Sequence, residues 1–277
     1  MKIIASGLSF AEAPRWHEGR LYFSDFYQHR VLAMNEAGEL DTIVTVPGQP
    51  SGLGWLPDGR LLVVSMLDRK LMRLEPDGRL VVHADLGELA TWHCNDMVVD
   101  AQGRAWVGNF GSDIEGGEAP VPANLMRVDV DGSVSLAAAD LKFPNGSVIT
   151  PDGSTLIVAE TFGRRLTAFD MDKQGELQNR REWANTAPHF PDGICLDAEG
   201  AIWIADPVGC CVVRVGAGGE ILQKIDTGRP AFACVLGGAD NKQLYVCTAD
   251  GAGSVAEAGL TGCIEVVSVA VAGAVAP

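Results

Sequence analysis

The 277-residue sequence predicts an all-β fold, a six-bladed β-propeller with four-stranded blades around a central channel, with residues 1–277 as a single domain. Three observations predict it. Glycine (33) and proline (14) are spread along the chain, which argues for many turns and against long helices. Short alternating apolar runs recur between PDG-like turns, the pattern of strands. A unit made of a small residue, an anchor, an apolar stretch, an Asp/Gly turn and an apolar strand recurs six times. Its anchors are Glu12, Ser51, Asn95, Asn145, Asp192 and Ala231, spaced by 39, 44, 50, 47 and 39 residues, the span of a four-stranded blade.

In chain order, Lys2–Ser6 reads as a leading strand that pairs with the last blade and closes the ring, removing exposed edges. AEAPRWHEGRLYFSDF, from Ala11, is the first copy, with a shorter turn. PSGLGWLPDGRLLVVSM, from Pro50, is the second and fits strands at Gly52–Trp55, Leu61–Ser65, Lys70–Leu74 and Leu80–Ala84. CNDMVVDAQGRAWVGNF, from Cys94, is the third and is followed by a long insertion, Gly111–Ala123. PNGSVITPDGSTLIVAET from Pro144 and PDGICLDAEGAIWIADP from Pro191 are the fourth and fifth; PAFACVLGGADNKQLYVCTAD from Pro230 is the weakest copy. The run Val266–Pro277 reads as a final strand. Trp16, Trp55, Trp106 and Trp203 recur within blades and are expected to pack between them.

Composition narrows the partners. A net charge of −15 repels phosphate backbones and argues against nucleic acid. No apolar run reaches the ~18 residues of a membrane helix. The N-terminal segment lacks the apolar core of a secretory signal. Seven cysteines without a CxxC pair fit neither a zinc site nor a disulfide framework, and point to a reducing, cytoplasmic compartment. No GxSxG, HExxH, P-loop or dinucleotide fingerprint is present. The expected partner is a small-molecule substrate, and a closed ring with few edges is expected to be monomeric.

In a propeller the first strand of each blade lines the channel, so residues at one phase of that strand form a ring around the axis. Four ring positions, Glu12, Asn95, Asn145 and Asp192, offer oxygen, two with a formal negative charge. Burying such acceptors together is costly without a cation. An all-oxygen set suits a hard divalent ion, calcium first, with magnesium, manganese and zinc as alternatives. Ser51 and Ala231 are small and leave room for a substrate. Taken singly, Asn145 in PNG and Asp192 in PDG also fit ordinary Asx-turns. The shared phase favours a metal ring.

These stretches carry a resemblance. AEAPRW with Glu12, HCNDMVVDAQGRAWVGN with Asn95, FPNGSVITPDG with Asn145 and FPDGICLDAEGAIWIAD with Asp192 run in one order along almost the whole chain. The sequence resembles the regucalcin (senescence marker protein)–gluconolactonase family of six-bladed propellers. The resemblance implies that Glu12, Asn145 and Asp192 coordinate a catalytic divalent cation, with Asn95 touching metal or substrate. It also implies hydrolysis of sugar lactones, of other lactones, or of phosphotriesters and fluorophosphates. The sequence departs from gluconolactonase-like members at two places. His93 stands where an Arg commonly binds sugar hydroxyls, and the opening motif is AEAP in place of GEGP. Both weigh against an aldonolactone and leave the cation site intact.

The expected activity is therefore metal-dependent opening of a lactone ring, with the cation polarising the carbonyl and Asp192 acting as base or nucleophile. The alternatives are phosphotriester or fluorophosphate hydrolysis at the same site, or a non-enzymatic calcium-binding propeller. The second strand of each blade returns to the same channel mouth. Its end residues Asp25, Ser65, Asn109, Glu160 and Asp206 fit structural roles, and Asn109 and Glu160 are the two expected to line the pocket. His93 is expected to bind substrate or shuttle a proton, and His189 fits either role. Cys94 is expected to be a small buried neighbour. The insertion Gly111–Ala123 reads either as a solvated loop or as a lid over the site.

Overall fold

Each Asp-Gly turn reverses the chain by local chemistry. In the second repeat the Asp58 side chain accepts the Arg60 N–H at 3.1 Å, and Gly59 takes φ 85°, a conformation that costs glycine nothing. The alternating runs on either side pair as antiparallel strands. The computed structural model describes residues 1–274, and these fold as six four-stranded antiparallel sheets, five in sequential order and the sixth completed by the first strand, forming a six-bladed propeller.

Blade I holds β2 (Ala11–His17), β3 (Arg20–Asp25), β4 (Arg30–Met34) and β5 (Leu40–Thr45); blade II holds β6 (Pro50–Trp55), β7 (Leu61–Ser65), β8 (Lys70–Leu74) and β9 (Leu80–Asp85). Blade III holds β10 (Cys94–Val99), β11 (Ala105–Asn109), β12 (Ala123–Val128) and β13 (Val134–Leu141). Blade IV holds β14 (Pro144–Ile149), β15 (Thr155–Glu160), β16 (Arg165–Met171) and β17 (Leu177–Asn185). Blade V holds β18 (Ile194–Leu196), β19 (Ile202–Asp206), β20 (Cys211–Val215) and β21 (Ile221–Asp226). Blade VI combines β22 (Ala231–Gly237), β23 (Gln243–Thr248) and β24 (Gly262–Ser268) with β1 (Lys2–Leu8), which pairs antiparallel with β24 and closes the ring.

The first strands β2, β6, β10, β14, β18 and β22 touch one another in cyclic order and so surround the axis. The second strands are buried on both faces: every residue of β7, β11 and β19 is buried, which is why they read as unbroken apolar runs. The outer strands β5 and β21 are mostly exposed. The core lies between blades. Trp106 packs with Leu141 and Ile149 across blades III and IV, and Trp203 with Cys234 and Leu244 across blades V and VI. Trp16 stacks on Tyr245 of blade VI at 5.5 Å, and Trp55 of blade II stacks on His17 of blade I at 3.9 Å. All four thus pack between blades.

Two expectations change. The Val266–Pro277 run is strand only to Ser268; beyond it, among the described residues, Gly273 makes an isolated bridge to Asp197, and residues 275–277 lie outside the described part. A five-residue helix, α1 (Ser254–Ala258), stands between β23 and β24.

Candidate active site and metal centre

At the anchors of blades II and IV the P-x-G signature is not a turn. Pro50–Trp55 and Pro144–Ile149 are strands, and the glycine is there because the next blade's backbone comes too close for a side chain. A Cβ at position 146 would lie 2.5 Å from the Ile194 nitrogen, and one at position 52 would lie 2.5 Å from the Met97 nitrogen. Gly146 also donates its N–H to the Asp192 carbonyl at 3.2 Å, which couples the backbones of two anchor segments.

Each of four inner strands is bulged at its anchor. In β14, Pro144 pairs with Glu160 and Ser147 with Val158, so three steps on the inner strand face two on its partner. The same mismatch occurs from Cys94 to Met97, from Pro50 to Leu53 and from Glu12 to Arg15. A bulge re-aims a side chain that the regular pleat would send into the inter-blade core.

Three of the re-aimed side chains, from blades I, III and IV, meet Asp192, which stands two residues before the regular strand β18. Glu12, Asn95, Asn145 and Asp192, from blades I, III, IV and V, share the lining of one cavity of about 310 Å³, together with His93. Ser51 and Ala231 are buried elsewhere on the inner strands and do not line it. All four oxygen-bearing anchors are less than a tenth exposed.

The electrostatics of this floor are unbalanced. The Glu12 carboxyl is pushed up to about 8, first by burial and then by the negative charge of Asp96, against the Ala13 N–H bond at 2.9 Å and the Arg15 charge. Asp192 is pushed well above the carboxylate range by burial, then by Glu12 and Asp96, and a hydrogen bond from the Asn145 side chain pulls the other way. Among the described residues neither carboxylate forms an ion pair. Asn145 Nδ2 also reaches Thr161 Oγ1 at 3.3 Å, so its amide nitrogen is turned to donors' work and its carbonyl oxygen remains for a cation. Two acidic and two amide oxygen donors with surplus negative charge are the donor set a hard divalent ion requires, and these residues fit one.

A charged pair below the ring escaped the sequence reading. Asp96, also buried, is raised by burial but tied to Arg15, whose Nη2 donates to Asp96 Oδ1 at 2.7 Å and to the Met97 carbonyl at 2.6 Å. The available signal was an ionisable residue in the interior of an inner strand, one after Asn95 and three after Glu12.

Asn109 and Glu160 are not brought to the cavity, which corrects the expectation for both. Each ends a second strand and is consumed by loop contacts. Asn109 accepts from Thr91 Oγ1 at 2.8 Å and from the Gly111 N–H at 3.0 Å, and donates to the Asn124 carbonyl at 2.8 Å. Glu160 accepts from the Lys142 N–H at 2.8 Å, from Thr167, and from Arg165 and Arg180. Asp25 does the same for the Ser9 and Phe10 N–H groups and Arg30. These side chains latch each blade to its neighbouring connections.

His93 does line the cavity, between Trp92 at 4.8 Å and Phe110 at 6.3 Å, and burial lowers its basicity. Cys94 is fully buried and its thiol is pushed up to about 12 by burial, an inert neighbour as expected. His189 instead contacts Asp206 at 2.7 Å with Cys211 beside them, a cluster outside the cavity lining. The insertion after β11 brings Ile114 and Glu115 over the mouth, where Glu115 approaches the Tyr27 hydroxyl of blade I at 3.5 Å. Glu257 of α1 completes that rim.

Residues 10–250 match the family model described as the SMP-30/Gluconolactonase/LRE-like region, a span that holds every candidate ligand. A pentonolactonase of Haloferax volcanii is 31% identical over 265 residues, covering 92% of this chain and 88% of that protein. A 6-deoxy-6-sulfogluconolactonase of Pseudomonas putida is 27% identical, covering 96% and 93%. Among solved structures, a gluconolactonase from Xanthomonas campestris superposes with a TM-score of 0.77 at 26% identity, over 95% of this chain and 87% of that one. With the six-bladed frame, these matches place the chain in the SMP-30/gluconolactonase/LRE-like family.

Proposed function

We propose that this protein is a metal-dependent lactonase, with Glu12, Asn95, Asn145 and Asp192 holding one divalent cation at the cavity floor. The observation that carries the reading is the pair of buried carboxylates without an ion-pair partner, joined by two amide oxygens from other blades. The lactonase names of the relatives supply the substrate class. Calcium is the first candidate, because the set is all oxygen and contains two formal charges.

A bound divalent ion supplies Lewis acidity toward the ester carbonyl. The chain's own residues do the rest. Asp192, oriented by the Asn145 side chain, takes a proton from the attacking water. The water oxygen bonds to the carbonyl carbon, the ring C–O bond breaks, and the proton passes to the leaving alkoxide to give a hydroxy acid. His93, kept neutral by burial, hydrogen-bonds the substrate beside this floor. Ile114, Glu115 and Glu257 restrict entry from solvent.

Seven unpaired thiols, including Cys195 and Cys234 with sulfurs 3.9 Å apart and unbridged, support a reducing compartment, the cytoplasm. No helix among the described residues is long and apolar enough to cross a membrane.

The test is hydrolysis of five- and six-membered lactones by chelated protein with each divalent cation restored singly. Turnover restored by calcium, and abolished by Asp192→Ala, is expected. Bound metal with no turnover of any lactone overturns the reading; a parallel phosphotriester panel then separates an organophosphate hydrolase from a non-enzymatic binder.

A further inference from the structure

Above its polar floor the cavity is walled by phenylalanine. Six of the nine phenylalanines in the chain line it. Phe10, Phe26 and Phe232 form one wall, with ring centroids 5.2 Å (Phe10–Phe26) and 4.6 Å (Phe10–Phe232) apart. Phe110, Phe143 and Phe162 form the other, Phe110 stacked on Phe143 at 4.9 Å and Phe162 edge-on to Phe143 at 5.0 Å. The blade latches fix both walls. Asp25 accepts the N–H of Phe10 at 3.1 Å, Asn109 accepts that of Gly111 beside Phe110, and Glu160 accepts that of Lys142 beside Phe143. Buried acceptors that hold the backbone of the wall residues make the walls a pre-formed slot.

The rest of the lining points the same way. Met66, Leu67 and Ile114 add aliphatic surface. Phe162 and Leu67 remain 40% and 43% exposed, an apolar rim left uncovered at the mouth. Off the floor the polar side chains are Gln49, His93, Glu115, Glu257 and the Tyr27 hydroxyl, and the last approaches Glu115. Among the described residues no lysine or arginine lines the cavity. A polyhydroxylated ring pressed against phenylalanine leaves its hydroxyls without partners. A sulfonate, phosphate or carboxylate would meet glutamates and no cationic side chain.

We propose that the site takes an uncharged lactone bearing an alkyl or aryl substituent, with the ring ester on the polar floor and the substituent between the two phenylalanine walls. The inference rests on the lactonase reading above. It sets this chain apart from a relative named for a sulfonated sugar lactone, since the slot has no group to receive the sulfonate.

The experiment is kcat/KM of the calcium-loaded protein on unsubstituted, pentyl- and phenyl-substituted five- and six-membered lactones, with glucono-1,5-lactone and its 6-phosphate as polar and anionic comparators. Each methylene is expected to raise kcat/KM about fourfold until the slot is filled, and both sugar lactones are expected to fall at least about 100-fold below the pentyl lactone. Phe143→Ser is expected to lower the pentyl-to-unsubstituted ratio by about tenfold. The ratio is internal to each variant, so partial loss of folded protein does not mimic the effect. A sugar lactone as the fastest substrate, with no chain-length slope, overturns the proposal and leaves the lactonase reading standing. Binding of pentyl-substituted and unsubstituted lactams by calorimetry supplies a readout without turnover. If no lactone reacts and the pentyl lactam still binds at least tenfold tighter, the lactonase reading falls and the apolar slot stands; equal lactam affinities overturn the slot.

Discussion

Glu12 and Glu160 are both buried at the same mouth of the propeller, and they behave in opposite ways. Glu160 is fully buried, which pushes its carboxyl up, yet bonds from Arg165, Thr167 and the Lys142 N–H outweigh burial and hold it below the usual carboxylate range. Glu12 has one backbone N–H and a nearby Asp96, and stands at about 8. The same amino acid, similarly buried, is in one place a finished structural joint and in the other an incomplete one. Burial of a carboxylate therefore does not by itself single out a candidate ligand in this fold; burial without donors is what distinguishes Glu12.

The sharpest way to break this comparison is at Asp192, the second carboxylate without an ion pair. Asp192→Asn keeps the shape and removes the base, and is expected to lower kcat by about 1,000-fold with the far-UV spectrum unchanged. A near-normal kcat would remove Asp192 from the chemistry. Glu12→Gln should weaken cation binding by at least about tenfold, read by calorimetry, because one of two formal charges in the ligand set is lost. In metal-free protein the same substitution is expected to raise Tm, since a neutral amide does not suffer the burial cost that Glu12 does. A fall in metal-free Tm would mean that Glu12 has a structural partner after all.

The matching change at the joint has the opposite sign. Glu160→Gln is expected to cost about 2 kcal/mol, below the figure for a fully buried pair because Arg165 and Arg180 are 30% and 35% exposed. This corresponds to a Tm lower by about 5 °C. A depressed carboxyl pKa contributes stability above its unfolded value and loses it as pH falls through the folded one, so the difference between wild type and Glu160→Gln should vanish in acid. A difference that persists there would assign the effect to packing. The smallest expected effect is Asn109→Ala, about 1 kcal/mol for the lost loop bonds, with the cation affinity unaltered.

The propeller was legible because its evidence is periodic: anchors at one phase and turns at fixed offsets survive in a single sequence. The ring of Glu12, Asn95, Asn145 and Asp192 was legible for the same reason, since phase in the repeat becomes position around the axis. Asn109 and Glu160 were placed at the correct end of their strands, but their use was not readable. Whether such a side chain faces a cavity or is consumed depends on donors such as Thr91 and Arg180, 18 and 20 residues away and unrelated to the repeat. The phenylalanine slot was hidden too: Phe10 and Phe143 stand two before an anchor and Phe26 and Phe110 directly follow a second strand, but the matching positions of other blades hold Gln49, His93 and Met66, so the repeat does not conserve the aromatic ring. Helix α1 is five residues long and flanked by glycines, too short for a helical pattern to stand out.

The strand β1 precedes every other strand of the propeller and pairs with β24, which follows them all. The ring therefore cannot close until all six blades have been synthesised. The four anchors, drawn from blades I, III, IV and V, take their final positions only in the closed ring. Blades made early have time to pair internally, since each is local in sequence, but the joint between the two ends has the longest separation the fold contains. The cavity that the four anchors share is thus assembled late, at ring closure, and an unclosed chain holds it only in pieces.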